Sequence, residues 1–304
     1  MLLIFILINV IVNMHAYHFT HFDPDGGLTY VVPEKISVLE KIKGLLFGIT
    51  VHRAYTSSYP SQNYETIKLK SNKEIECWLI KADSSKGTVI LFHGYADEKS
   101  SNIKRSDEFL KMGYNTMLVD FMGSGGSEGN HTTIGYKESE EVKTCYDYIK
   151  EHGEKNIILF GSSMGAVAIL KAIKDYQITP AALILECPFA SLYRTICNRF
   201  DIVKIPRFPM AQMLTFWGGV QNGFWAFGFN PHEYAKYVES PTLLLFGEKD
   251  DRVGRDEIDK IYFYLNCKKK LVTFPEAGHE NYLKKYKPEW TNEVRDFLLS
   301  INNK

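Results

Sequence analysis

Ser163 lies at the centre of a Gly-x-Ser-x-Gly run, with Gly161 before it and Gly165 after it. The run follows an apolar stretch at 157–160 and precedes a helical pattern that is rich in alanine. A serine on a sharp turn between a strand and a helix holds its hydroxyl clear of the sheet, and flanking glycines relieve the crowding there. The sequence therefore predicts that Ser163 is a nucleophile and that Ser162 is part of the turn.

A serine hydroxyl needs a base that accepts its proton and a carboxylate that orients this base. After a nucleophile on such a turn, the expected order along the chain is the acid and then the histidine. Three neighbouring acids, Glu248, Asp250 and Asp251, are candidates for the carboxylate. His279 is the only histidine that follows them, and it is predicted to be the base.

Short β-branched runs alternate with helical patterns from Tyr64 onward, which predicts an α/β fold with a mostly parallel, doubly covered sheet. The predicted strands are 65–70, 74–81, 87–94, 114–121, 156–160, 182–186, 242–246 and 270–274. A helix that covers the sheet is predicted at 134–151 from its apolar spacing. The candidate acid and base follow strands, at the edge where open α/β sheets bind ligands.

The segment 188–240 interrupts this alternation with a dense set of aromatic residues, glycines and prolines, and it is predicted to be a lid insertion. The sequence thus divides into an apolar segment at 1–20, a connecting segment at 21–63 and an α/β domain at 64–304 that contains the lid.

The composition argues against several classes of partner. Lys and Arg together number 36 and so do Asp and Glu, so the formal net charge is zero and a nucleic-acid partner is not expected. The five cysteines form no Cys-x-x-Cys pair and are predicted to be buried free thiols. The chain has no phosphate-binding loop and no dinucleotide motif, so neither a cofactor nor a metal is expected.

Four motifs together resemble the α/β-hydrolase superfamily, in its serine aminopeptidase-like and lipase-like (monoglyceride lipase-like) branch, over about 64–299. They are His93-Gly94-Tyr95, Asp120-x-x-Gly123-x-Gly125-x-Ser127, Gly161-x-Ser163-x-Gly165, and Gly247-x-x-Asp250-x-x-Val253 with Gly278-His279. Met122 stands where the second motif often has arginine. The resemblance implies that Asp250 is the acid, that His279 is the base and that His93 has a structural role.

The same resemblance implies an oxyanion hole made of two backbone N–H groups, from Tyr95 and from Met164. Because only the backbone donates, the side chain at position 95 is expected to matter little. His131, His152 and His232 are predicted to lie at the surface or in the lid.

The lid aromatics suit an apolar acyl group, and Phe216, Trp217, Phe224 and Trp225 are the candidate substrate contacts. They could equally pack the lid onto the domain. Asp201 is the only acid between 188 and 230, which favours an ester or thioester over a peptide amine. The leading hypothesis is a serine esterase for a small-molecule or lipid acyl substrate. An aminopeptidase or amidase and a non-catalytic hydrolase-like binding protein are the alternatives.

Residues 2–12 are apolar apart from Asn9. The segment predicts an uncleaved membrane anchor, or a signal peptide whose cleavage would make the protein secreted, or a buried segment. The side of the membrane stays open because the first basic residue is Lys35.

Overall fold

A computed structural model describes residues 2–24, 48 and 50–302. Two short strands, β1 (Phe22–Asp23) and β2 (Val51–His52), pair in parallel, and the other strands form one eight-stranded sheet. Those strands are β3 (Tyr64–Lys70), β4 (Glu74–Ile80), β5 (Thr88–Phe92), β6 (Asn115–Val119), β7 (Ile157–Ser162), β8 (Ala182–Glu186), β9 (Thr242–Gly247) and β10 (Lys269–Phe274).

The order across the large sheet is β10-β9-β8-β7-β5-β6-β4-β3. The pairs from β10 to β6 are parallel, whereas β4 runs antiparallel to both β3 and β6. The prediction of a mostly parallel α/β sheet is therefore confirmed. Each of the eight predicted strands is present, with ends that differ by no more than two residues.

Helices cover the sheet and form the insertion. They are α1 (Leu2–Thr20), α2 (Ile103–Lys111), α3 (Glu138–Glu151), α4 (Met164–Tyr176), α5 (Leu192–Ile202), α6 (Met210–Asn222), α7 (Pro231–Tyr234), α8 (Arg255–Tyr264), α9 (Tyr282–Lys285) and α10 (Lys287–Asn302). The core lies on both faces of the sheet, as the alternation along β5 illustrates. Ile90 and Phe92 pack on one face, whereas Val89 and Leu91 pack on the other.

The helix predicted at 134–151 begins only at Glu138, so its predicted start was wrong. Ile134 and Gly135 have positive φ angles, which a right-handed helix does not allow. The Glu138 carboxylate accepts hydrogen bonds from the backbone N–H groups of Thr133 and Gly135 at 2.8 and 2.9 Å. This carboxylate holds the preceding turn outside the helix.

The amino-terminal helix packs against the insertion. The indole N–H of Trp217 on α6 donates to the Asn9 side chain at 3.2 Å, and the Gln221 amide donates to the Asn13 carbonyl at 2.8 Å. Val12 and Ala16 are buried in this contact region, whereas Leu3 and Phe5 remain exposed.

Three further sequence-based predictions concern the amino-terminal segment, the connecting segment and the cysteines. No helix within the described residues is both long and apolar enough to cross a membrane. Most of the predicted connecting segment at 21–63, namely 25–47 and 49, lies outside the described residues. All five cysteines are free, as predicted, and all but Cys267 are buried.

Candidate active site

The turn that carries Ser163 is a tight junction between β7 and α4. Ser163 has φ 50° and ψ −109°, a strained conformation for a residue with a side chain. A Cβ at Gly161 would lie 2.6 Å from the Ala166 nitrogen, and one at Gly165 would lie 2.6 Å from the Phe92 carbonyl oxygen. Both positions therefore require glycine for steric reasons.

The structure brings Ser163, His279 and Asp250 together in one hydrogen-bonded chain. The His279 Nε2 atom lies 3.1 Å from the Ser163 Oγ atom, and its Nδ1 atom lies 2.7 Å from the Asp250 Oδ2 atom. The Asp250 side chain is fully buried and that of His279 is 15% exposed. This arrangement allows His279 to accept the serine proton while Asp250 holds the ring.

The loop after β9 explains which of the three candidate acids reaches the histidine. The Asp250 Oδ1 atom accepts the backbone N–H groups of Arg252 and Val253, each at 2.9 Å, so the carboxylate is fixed on both sides. Asp251 is exposed, and Glu248 lies 3.9 Å from Arg255 at the surface. Of the three acids, Asp250 is the one in contact with His279.

Cys187 lies beside the hydrogen-bonded residues His279 and Asp250. The sequence predicted only that it is a buried free thiol. Its Sγ atom lies within 4.8 Å of ligand atoms of both Asp250 and His279. Burial opposes a charge on His279, but Cys187 and the hydrogen bond with Asp250 favour it, and the pKa of His279 is raised above its ordinary value. Cys187 directly follows β8, which lies beside β7 in the sheet. That position was the available sequence signal that Cys187 lies near the candidate active site.

Cys187, Asp250 and His279 are also the one cluster of potential metal ligands among the described residues. Both ring nitrogens of His279 are hydrogen-bonded within the chain to Ser163 and Asp250. The imidazole would have to leave one of these partners to bind a metal ion, so the geometry fits proton transfer better than ligation.

The loop after β5 runs directly past the serine. A Cβ at Gly94 would lie 3.8 Å from the Ser163 Cβ, which places the backbone of the adjoining Tyr95 near the nucleophile. Met164 is the first residue of α4, where backbone N–H groups have no partner within the helix. Gly94, which precedes Tyr95, and Met164, which follows Ser163, thus place both predicted donor residues in segments next to the nucleophile.

His93 occupies a structural position. Its Nε2 atom accepts the backbone N–H of Phe121 at 3.1 Å, so its Nδ1 atom carries the proton and donates to the Gly94 carbonyl at 2.7 Å. The three histidines predicted at the surface or in the lid make other contacts: His152 is exposed at the end of α3, His131 stacks near His21, and His232 is hydrogen-bonded to the Ala190 carbonyl oxygen in the lid.

Asp120 anchors the second motif and supports the neighbouring loops. Its carboxylate accepts hydrogen bonds from the Lys99 ammonium, from the Lys99 backbone N–H at 2.7 Å and from the Gly126 backbone N–H at 2.8 Å. Lys99 is fully buried and also pairs with Glu76 at 2.9 Å. A Cβ at Gly125 would lie 1.9 Å from this carboxylate, so the motif is structural.

The four lid aromatics proposed as substrate contacts have different surroundings. Phe224 lines an apolar cavity between α1, α5 and α6, and its ring stacks on Tyr136 at 4.1 Å. Trp217 donates to Asn9, as described above, and both Phe216 and Trp225 are exposed. Of the four residues, Phe224 is the one that lines this cavity.

Comparison with known proteins agrees with this fold. The family model described as serine aminopeptidase, S33, matches residues 83–217. The chain has the α/β-hydrolase fold and is similar to this family over that range.

Among individual proteins, the chain is 23% identical to the uncharacterized protein YqkD of Bacillus subtilis, over 76% of this chain and 77% of that one. It is 25% identical to the lysophosphatidylserine lipase ABHD12 of Danio rerio, over 73% of this chain and 60% of that longer one. The solved structure of the Pyrococcus furiosus esterase Pf2001 is similar with a TM-score of 0.68 and 22% identity, over 83% of this chain and 99% of that one.

Proposed function

We propose that the protein is a serine hydrolase that cleaves carboxylic ester or thioester bonds of an apolar acyl substrate. The observation that carries this proposal is the hydrogen-bonded chain from Ser163 through His279 to Asp250, at the end of a sharp strand–helix turn. A lipase and an esterase among the similar proteins support it.

In the proposed reaction, the Ser163 oxygen attacks the acyl carbonyl carbon while His279 accepts the serine proton. The N–H groups of Tyr95 and Met164 stabilise the negative oxygen of the tetrahedral intermediate. His279 then donates its proton to the departing alcohol or thiol, which leaves an acyl-serine ester. A water molecule, deprotonated by His279, releases the acid and restores Ser163.

The surroundings favour an apolar acyl group over a peptide amine. The cavity between α1, α5 and α6 is lined mainly by apolar and small residues, among them Ala16, Ile196, Leu214 and Phe224. Asp201, the only acid between 188 and 230, is paired with Arg207 at the surface. If the substrate enters this cavity in the proposed reaction, its ammonium would meet apolar side chains and would lose its hydration without a countercharge.

A matched pair of substrates tests the choice between an ester and an aminopeptide. The 4-nitrophenyl esters of leucine and of 4-methylpentanoic acid differ only in the ammonium group. After correction for buffer hydrolysis, we expect kcat/KM to be about tenfold higher for the ester without the ammonium, because an unpaired cation costs more than ~1.4 kcal/mol when it is desolvated. A preference for leucine 4-nitroanilide over both esters would indicate an aminopeptidase instead.

We also propose that α1 associates the protein with a membrane surface. Leu2, Leu3, Phe5 and Leu7 on this helix are more than half exposed, at 74%, 79%, 62% and 58%. Phe216 and Val220 on the adjoining α6 are exposed as well. Exposed apolar residues on two helices that pack together are typical of contact with a lipid interface.

Flotation with phosphatidylcholine vesicles tests this association. Because an interfacial phenylalanine contributes about 1.5–3 kcal/mol, we expect Phe5→Asp to lower the vesicle-bound fraction about tenfold or more. Phe263→Asp is the matched control, because Phe263 is also more than half exposed but lies on α8. Equal flotation of both variants, or no flotation of the unchanged protein, would argue against the association.

A further inference from the structure

The last turn of α1 contacts the loop that carries one of the proposed oxyanion donors. The Tyr95 hydroxyl donates a hydrogen bond to the Phe19 carbonyl oxygen at 2.6 Å. The two rings also stack, with centroids 4.9 Å apart and an angle of 19° between their planes. The side chain of Tyr95 is thus held by a segment 76 residues away in the sequence.

An arginine side chain of the lid also packs against the rings of Phe19 and Tyr95. The Arg199 guanidinium on α5 lies 5.1 Å from the centre of the Phe19 ring and 6.0 Å from that of Tyr95, within the range of cation–π attraction. Burial raises the pKa of the Tyr95 hydroxyl far above its usual value, although Arg199 opposes this shift. The hydroxyl therefore remains a hydrogen-bond donor throughout the neutral and mildly alkaline range.

The backbone next to Tyr95 needs such support. Ala96 has φ 55°, a left-handed conformation that costs free energy for a residue with a Cβ. On the other side, Gly94 passes close to Ser163, as described above. Tyr95 therefore lies between the strained residue Ala96 and the segment that passes Ser163. Its side chain is the contact that holds this loop against α1.

We propose that Phe19, near the carboxyl end of α1, and the Tyr95 side chain are positioning residues of the active site that fix the oxyanion loop. This inference rests on the proposed function, because the position of the Tyr95 N–H matters only if Ser163 generates an oxyanion. It revises the expectation that the side chain at position 95 matters little. The amino-terminal helix then helps to position a group that stabilises the transition state, in addition to packing against the lid.

Tyr95→Phe tests this proposal, since it keeps the ring and removes the hydrogen bond to Phe19. We expect kcat for a 4-nitrophenyl ester to fall about five- to tenfold while KM changes less than about twofold, because an interaction made only in the transition state lowers kcat and leaves KM unchanged. Rates are normalised to the fraction of sites that a fluorophosphonate titrates. The inhibition constant of a trifluoromethyl ketone, which forms an oxyanion on Ser163, should rise by the same factor as kcat/KM falls.

The control is Tyr17→Phe, the same chemical change on α1, at a half-exposed tyrosine that stacks on His21. It should leave kcat and the inhibition constant unchanged. Phe19→Leu removes the stacked ring by a second route and should also lower kcat. Its effect should be smaller when Tyr95→Phe is already present, because both changes loosen the same loop.

The outcomes separate this inference from the proposed function. Unchanged kcat and unchanged ketone inhibition in both Tyr95→Phe and Phe19→Leu would overturn the positioning role, and so would an equal loss in Tyr17→Phe. Neither result would affect the proposed function as long as Ser163→Ala abolishes hydrolysis. If Ser163→Ala is fully active, the proposed function itself fails.

Discussion

Ser163→Ala is expected to lower kcat for ester hydrolysis by about 10⁶, which is the scale of loss when an activated serine nucleophile is removed. Alanine cannot form the acyl-enzyme, so the remaining groups can only assist the direct attack of water. The substitution removes one oxygen and keeps the Cβ, so the turn at φ 50° should persist.

Ser162→Ala is the matched control for this prediction, because Ser162 is the adjacent last residue of β7. It should retain activity close to that of the unchanged protein. The rate of nitrophenolate release at saturating ester gives both values. An Ser163→Ala protein as active as the unchanged one, or a large loss confined to Ser162→Ala, would show that the nucleophile is misassigned.

Asp250→Asn is expected to lower kcat by about 10⁴, because it favours the wrong tautomer of the catalytic imidazole. The backbone N–H groups of Arg252 and Val253 both donate to Oδ1 of Asp250, so an asparagine would place its carbonyl oxygen there. Its NH₂ group would then face Nδ1 of His279. That nitrogen would become an acceptor, and Nε2 would carry the proton and could not accept one from Ser163.

The same substitution should change the pH dependence. The hydrogen bond with Asp250 is one of the causes that raise the pKa of His279. The charged, inactive form of the base is therefore less stable in Asp250→Asn, and the acidic limb of kcat/KM should move to lower pH. Asp251→Asn is the control, because Asp251 is the exposed neighbouring acid. Equal losses in the two variants, or no loss in Asp250→Asn, would contradict the assignment.

The sharp turn at Ser163 and the strands could be predicted because local steric rules and hydrophobic patterns determine them. Gly161 and Gly165 are required by contacts below 3 Å, and such constraints leave a recognisable spacing in the sequence. The parallel strands are buried on both faces and therefore read as continuous apolar runs, as β5 and β9 do. Asp250 and His279 each follow a strand, so topology alone places them at one edge of the sheet.

Other features could not be predicted because they depend on contacts between distant segments. The contact of Phe19 with Tyr95 joins α1 to the loop after β5, and no local pattern in either segment reveals it. The late start of α3 depends on the Glu138 side chain folding back onto the preceding turn. Cys187 is apolar in character and reads as a core residue, and its place directly after β8 was the one sign that it lies beside Asp250 and His279.

Covalent labelling is the most direct test of the central claim that Ser163 is an activated nucleophile. A fluorophosphonate phosphonylates a serine only where a base removes its proton and an oxyanion hole stabilises the intermediate. After reaction and proteolysis, mass spectrometry should locate one adduct on the peptide that contains Ser163, and Ser163→Ala should carry none. No adduct on the folded protein, or an adduct on a different residue that persists in Ser163→Ala, would contradict the account.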